Sequence, residues 1–225
     1  MLFAIETERQ FNNTLTKRSA SLSNILPTKG LSSNTFFVSK RFRISIFFFL
    51  LAIAAVWAAI KYTVGLRAYG YSGLGDLFVF LFFGWVSVIG AYYLQSKTID
   101  STALFLGTAI GLMSVGVLNL NNMRDIDNDK NSKKHTLAVL MGSQKAKRYH
   151  YFLIIVSGVF LYLGIGSSWV MKHPFSLLIL FPLLFHLYQV NKIKEPKDFD
   201  PLLKSLALST FSISLVLFVI FSIFK

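Results

Sequence analysis

From residue 44 onward the chain alternates long apolar stretches with short polar or charged ones. Six stretches stand out, at about 44–64, 77–95, 101–119, 150–171, 174–191 and 203–224. Each is close to the ~20 residues that a helix needs to cross the hydrocarbon core of a bilayer. The pattern predicts an all-α integral membrane protein, a bundle of six transmembrane helices with no extramembrane domain and no internal repeat. Pro174 falls in the first turn of the fifth helix, and Pro182 is expected to kink its middle. Gly107 and Gly111 form a small-x-x-x-small pair on the third helix, which would let a neighbouring backbone approach closely.

Composition agrees with this reading. Of the 225 residues, 54% are hydrophobic, 15% are charged, and 23 are Phe, whereas a water-soluble domain of this size needs a more polar surface. There is no cysteine, which removes disulfides, zinc-thiolate sites and thiol nucleophiles. The net charge of +13 does not point to nucleic acid, because the basic residues sit mainly between the apolar runs, where they set topology. The segments after helices one, three and five hold 2, 7 and 4 basic residues, whereas those after helices two and four hold only Lys97 and Lys172. The first set is therefore expected on the cytoplasmic or equivalent side.

Residues 1–43 are different. They are rich in Ser, Thr and Asn, and they carry seven basic residues with only Glu6 and Glu8 as acids. That composition loosely suggests an organelle transit peptide; the simpler expectation is an unstructured leader with no targeting role. The domain proper is expected over 44–225. Seven basic residues before helix one conflict with the orientation that the loops favour, which suggests that the native surroundings of that helix are absent from this chain.

Chemistry concentrates after the third apolar run. Of ten acidic residues in the chain, three (Asp125, Asp127 and Asp129) fall within five consecutive positions. If the helix continues at 100° per residue past Leu118, Asn122, Asp125 and Asp129 share a face, and Asp127 points away. An Asp-x-x-x-Asp pair on one face can hold Mg²⁺ through hard oxygen ligands while the metal keeps waters and reaches a phosphate. The plainer alternative is a solvated, polar helix end.

Other segments are weaker signals. The loop from Lys61 to Asp76 sets four glycines among tyrosines. It could turn its amides toward a ligand, with Lys61 and Arg67 meeting an anion and the tyrosines flanking a flat aromatic, or it could be an interfacial aromatic belt. Asp198 and Asp200 before Pro201 read as a helix cap rather than a metal site. His186, inside helix five, is expected to be satisfied by a neighbouring helix, and His135 to be solvated.

At this level of detail the sequence resembles a known family. Val117–Asp129 followed by Lys134-His135-Thr136-Leu137-Ala138-Val139 resembles the second aspartate-rich motif of the 1,4-dihydroxy-2-naphthoate prenyltransferases, the menaquinone branch of the UbiA superfamily. Ile60–Gly65 and Tyr69–Phe80 match the same branch, and the similarity runs from about residue 45 to the end. Leu140, where the family commonly has a basic residue, and Ser72, where Arg is frequent, depart from it. The family has nine membrane helices, so the resemblance makes these the last six. The first aspartate-rich motif would lie earlier, and before Asp76 the only acids are Glu6 and Glu8.

The resemblance implies transfer of a polyprenyl group from polyprenyl diphosphate to 1,4-dihydroxy-2-naphthoate, with decarboxylation, at a bacterial inner membrane. It implies that Asp125 and Asp129 bind Mg²⁺ with support from Asn122. Arg124 and Lys134 would hold diphosphate oxygens or the naphthoate carboxylate. Asn119, Lys61, Tyr62, Tyr69, Tyr71 and Asp76 complete the implied substrate-binding set. With one acidic motif of two and three helices fewer than the family, little or no activity is expected of this chain alone. A partner chain could supply the missing helices. A non-catalytic remnant and, against the lack of mid-span charges, a six-helix transporter or channel subunit are the alternative readings.

Overall fold

A computed structural model describes Lys17 and residues 28–63 and 69–223, with side chains described over 42–62, 70–166 and 169–223 as well as for Lys17. Most of the leader, 1–16 and 18–27, therefore lies outside the described residues. The chain forms two compact units, Met1–Val56 and Trp57–Lys225. In its described part the first unit is helical, formed by α1 (Thr28–Thr63) up to Val56. The leader's last stretch, 28–43, is thus the start of a helix.

The second unit contains the end of α1 and eight further helices among the described residues. These are α2 (Gly75–Ser96), α3 (Ser101–Arg124), α4 (Ile126–Asn131), α5 (Leu137–Met141), α6 (Ser143–Ile165), α7 (Ser167–Lys172), α8 (Phe181–Lys192) and α9 (Asp200–Ile223). Turns of 3₁₀ helix at Pro174–Leu180 and Pro196–Phe199 lead into α8 and α9. Six spans are long and apolar enough to cross a membrane, in the order expected. The protein is an all-α, multi-pass integral membrane protein.

α3 is the hub. Half of its apolar window is buried, against 6% for α2 and 17% for α9, and it packs on α2, α6 and α9. Its start is fixed by Asp100, which caps the Ala103 N–H at 2.8 Å and accepts from the Tyr92 hydroxyl at 2.6 Å. The Tyr92 hydrogen bond, followed by the cap, holds the Asp100 carboxyl below its ordinary range. The glycine pair behaves as its spacing predicts. A Cβ on Gly84 would meet the Gly107 carbonyl at 2.7 Å and the Gly111 Cα at 2.8 Å, so the α2 and α3 backbones touch. Gly84 sits in a π-helical stretch of α2, Phe80–Ile89, for which the apolar pattern holds no signal.

Two boundaries differ from expectation. The fourth span begins at Ser143 and ends at Ile165 rather than covering 150–171, because Gly166 (φ +90°) breaks the chain before α7. Its charged first turns belong to the helix although they are polar. Pro182 does not kink a continuous α-helix; it lies in the first turn of α8, where 3₁₀ geometry gives way to α. His186 finds a partner on a neighbouring helix, as expected, although its Nδ1 is buried without one. Its Nε2 lies 2.9 Å from Nε2 of His150 on α6, and both rings are buried.

Candidate functional site

α3 does not run on through the acidic stretch. It stops at Arg124, and Asp125 (φ −95°, ψ 14°) is the joint to α4. The turn is preserved nonetheless, since the Asp129 N–H donates to the Asp125 carbonyl at 2.8 Å. The two acids therefore stay one turn apart, as the spacing requires. Asn119 and Asn122 are buried in the last turns of α3, and the Asn119 amide donates to the Ala146 carbonyl at 3.1 Å, tying α3 to α6. The Oδ1 atom of Asn119 is buried without a partner.

Each acid holds a cation of its own chain. Asp129, 6% exposed, pairs with Lys134 at 3.1 Å. Lys134 also lies 5.0 Å above the centre of the Tyr71 ring. The hydrogen bond that Lys134 donates to Asp129, reinforced by the fields of Asp129 and Asp125, raises the Lys134 pKa above its ordinary value. Asp125 accepts from Nε and from Nη2 of Arg124, both at 2.9 Å. That fork, with Lys134's field adding to it, holds the Asp125 carboxyl below the usual range. Asp129 is thus held by Lys134 and Asp125 by Arg124.

Arg124 reaches further. Its Nη2 also donates to Asn121 at 2.8 Å and its Nη1 to Asp200 at 2.7 Å. Asp200, read from sequence as a cap, instead has helical backbone angles and begins α9 directly from the 3₁₀ turn. Its carboxylate is turned to Arg124. The turn starts at Pro196 rather than at Pro201, which is why the expected capping position falls inside helical structure.

The tyrosine–glycine loop meets this mouth. The His135 N–H donates to the Tyr71 carbonyl at 2.8 Å, stitching the loop to the segment after α4. Gly73 (φ +75°) sits with its Cβ direction 3.2 Å from the His135 carbonyl, so both angle and space demand glycine. The Tyr62 ring packs on Gly70 and Gly75, whose Cβ positions would lie 3.0 and 3.4 Å from it. Asp76, 8% exposed, shares a hydrogen bond with the Tyr149 hydroxyl, and its Oδ2 has no partner. Tyr71 is exposed and Lys61 is exposed at the end of α1, in no ion pair among the described residues. The side chain of Tyr69, like Arg67, lies outside the described residues.

An open cavity of about 460 Å³ lies between α2, α3 and α9, lined mainly by apolar side chains such as Phe83, Val117 and Leu203, with Ser114, Thr210 and Asn121 as its polar members. Because Asn121 also binds Arg124, the groove shares that residue with the charged cluster. No group of three His, Cys, Asp or Glu able to hold a metal occurs among the described residues. The Asp125–Asp129 pair nevertheless fits a hard divalent cation in its donor chemistry, two carboxylates one helical turn apart. Waters or phosphate oxygens would have to complete such a shell. Sequence reasoning missed Asp200, Asn121 and Tyr149 as neighbours of the site. Only Asp200 carried a signal, its charge, and the adjacent proline gave that another meaning.

The family model described as the UbiA prenyltransferase family matches residues 30–222. A 1,4-dihydroxy-2-naphthoate octaprenyltransferase of Haemophilus influenzae is 39% identical over 175 residues, 77% of this chain and 55% of that protein. The protein of that name from Escherichia coli is 48% identical over 110 residues, 49% of this chain and 36% of that one. A UbiA prenyltransferase domain-containing protein 1 of Dictyostelium discoideum is 35% identical over 140 residues, covering 62% and 42%. The chain spans about half the length, or less, of these relatives. No solved structure matches it.

Proposed function

The chain belongs to the UbiA prenyltransferase family, and from that premise we propose that it transfers a polyprenyl group from polyprenyl diphosphate to 1,4-dihydroxy-2-naphthoate at the mouth where α3 gives way to α4. One observation carries the reading. An acid pair one turn apart, Asp129 held by Lys134 and Asp125 by Arg124, stands beside a mainly apolar groove that shares Asn121 with the cluster. An isoprenoid diphosphate has the same build, a charged head on a long hydrocarbon tail.

The residues divide the work. Asp125 and Asp129 would hold Mg²⁺, which would offset the charge that builds on the diphosphate as its C–O bond breaks. Lys134, released from Asp129, would face the diphosphate oxygens. The groove of Phe83, Val117 and Leu203 would take the prenyl chain. Tyr62 and Tyr71 would flank the naphthoate ring, whose electrons form the new C–C bond while its carboxylate leaves as CO₂. The unpartnered oxygen of Asp76 would accept a hydroxyl proton from that ring in a hydrogen bond. The mouth would face the cytoplasm, the side that the basic residues of its loops favour, in a bacterial inner membrane.

The test is Mg²⁺-dependent binding of geranylgeranyl diphosphate to the purified chain in lipid nanodiscs. Asp125→Asn and Asp129→Asn should each weaken it at least about tenfold. Unchanged binding in both variants would refute the assignment.

A further inference from the structure

We propose that Asp200 is a positioning residue of this site, which keeps hold of the Arg124 guanidinium so that Asp125 can be released from it to a divalent cation. The proposal rests on the reading that Asp125 and Asp129 hold such a cation. Neither the acidic stretch nor its spacing includes Asp200, which lies 76 residues from Arg124 and on another helix.

The geometry is specific. Arg124 makes four hydrogen bonds, of which two go to Asp125, one to Asn121 and one to Asp200. In the empty site Arg124 sits on both Asp125 oxygens, so a metal has to displace it from them, and a guanidinium with no other acid to hold would resist that. With Asp200 at 2.7 Å on Nη1, Arg124 keeps a carboxylate partner when Asp125 turns to a cation. Releasing Asp125 then does not leave an unpaired guanidinium at the membrane mouth. The Asp200 side chain is half exposed, so the pair is worth little as a tie between helices. Its value lies in where it holds Arg124.

The position of Asp200 is itself fixed by packing. Phe199, buried in the core, ends the 3₁₀ turn that Pro196 opens. Pro201 follows immediately, presetting the backbone of the first turn of α9. A carboxylate on so constrained a turn can hold a guanidinium in one place. A floppy loop could not.

The probe is Mn²⁺, followed by electron paramagnetic resonance on the full chain in nanodiscs, with circular dichroism confirming that each variant is folded. Asp200→Asn should weaken Mn²⁺ binding about tenfold or more, in the range seen for partners that orient metal ligands, and Asp200→Glu should recover most of it. Asp200→Ser serves if the Asn variant does not fold. In an Arg124→Gln background the same Asp200 change should shift affinity by less than about twofold, because the effect runs through Arg124. Parent-like affinity in Asp200→Asn would overturn the proposal. So would a tenfold loss that persists without Arg124, which would mark a direct field effect. If Asp125→Asn binds Mn²⁺ like the parent, the metal-site reading itself fails. If Asp125 matters and Asp200 does not, only the positioning role fails.

Discussion

Replacing Lys134 with methionine separates the cation's structural role from the chemistry assigned to the acids it serves. The substitution keeps a chain of similar length but removes the charge beside Asp129. That carboxylate side chain is 8% exposed, whereas Lys134 is 34% exposed. Breaking a fully buried pair costs about 3–5 kcal/mol, and an exposed pair contributes about 0–1 kcal/mol. A buried acid facing a partly exposed base lies between, at about 1–3 kcal/mol, of which the lost contact with the Tyr71 ring is ~0.5–1 kcal/mol. At about 2–4 °C per kcal/mol for a domain of this size, the thermal midpoint in EDTA should fall by roughly 2–12 °C.

Magnesium decides what the loss means. If Asp125 and Asp129 form a cation site, Mg²⁺ should replace the missing ammonium in Lys134→Met and raise its midpoint more than the parent's, because in the parent the metal must first displace the lysine. Saturation a hundredfold above Kd corresponds to about 2.7 kcal/mol of stabilisation. Neutral pH is the right condition. The Lys134 pKa is raised in the folded chain, so its contribution is fully present below the ordinary lysine pKa and lost only as pH rises through the folded value. Melting of the purified chain in detergent, followed by circular dichroism with EDTA and then with Mg²⁺, gives both numbers. An unchanged midpoint in EDTA would show the ion pair to be idle. Equal Mg²⁺ responses of parent and variant would refute the claim that the acids share a cation position.

Two further outcomes follow from the packing. Gly84→Val should destabilise the chain by about 1–3 kcal/mol or more, since its branches would drive into the backbone of α3 at Gly107 and Gly111, while Gly158→Ala, whose nearest neighbour is 3.9 Å away, should leave the same melting midpoint nearly unchanged. His186→Leu should cost about 1–3 kcal/mol by leaving Nε2 of buried His150 without its partner, and adding His150→Leu should cost less than the sum of the single changes, as a double-mutant cycle of midpoints would show.

The fold was legible because a membrane helix must satisfy its own backbone and show lipid an apolar side, so length and hydropathy report it directly. What hydropathy cannot report is where a helix begins when its first turns are charged, as in Ser143–Arg148 of α6. Nor does it report the π-helical stretch around Gly84, which follows from how closely α3 approaches. The acidic pair was legible from spacing, and the joint at Asp125 leaves that spacing intact. The third acid was not. Asp200 is brought to Arg124 by the packing of α9 on α3, a relation between distant segments that spacing does not encode, and Pro201 made a local cap the better sequence reading. His186 was read correctly as partnered by a neighbour, yet that partner, His150, could be named only once α6 and α8 were seen side by side.

The charge arrangement at the mouth follows from its place at the edge of the bilayer. Asp125 at the C-terminus of α3 opposes the helix dipole, and it and Asp129 one turn on repel each other, so without compensation they would loosen the joint between α3 and α4. Arg124 and Lys134 supply that compensation in the ligand-free chain, at 2.9 Å and 3.1 Å from their acids. On the proposed reading, a divalent cation and a diphosphate arriving together would exchange partners with these groups: the acids would pass to the metal and Lys134 to the phosphate oxygens, while Arg124 would stay on Asp200. Such a mouth would be balanced while empty, and it would favour the metal and the anion as a pair over either alone, because each by itself would leave one of the chain's charges without a partner.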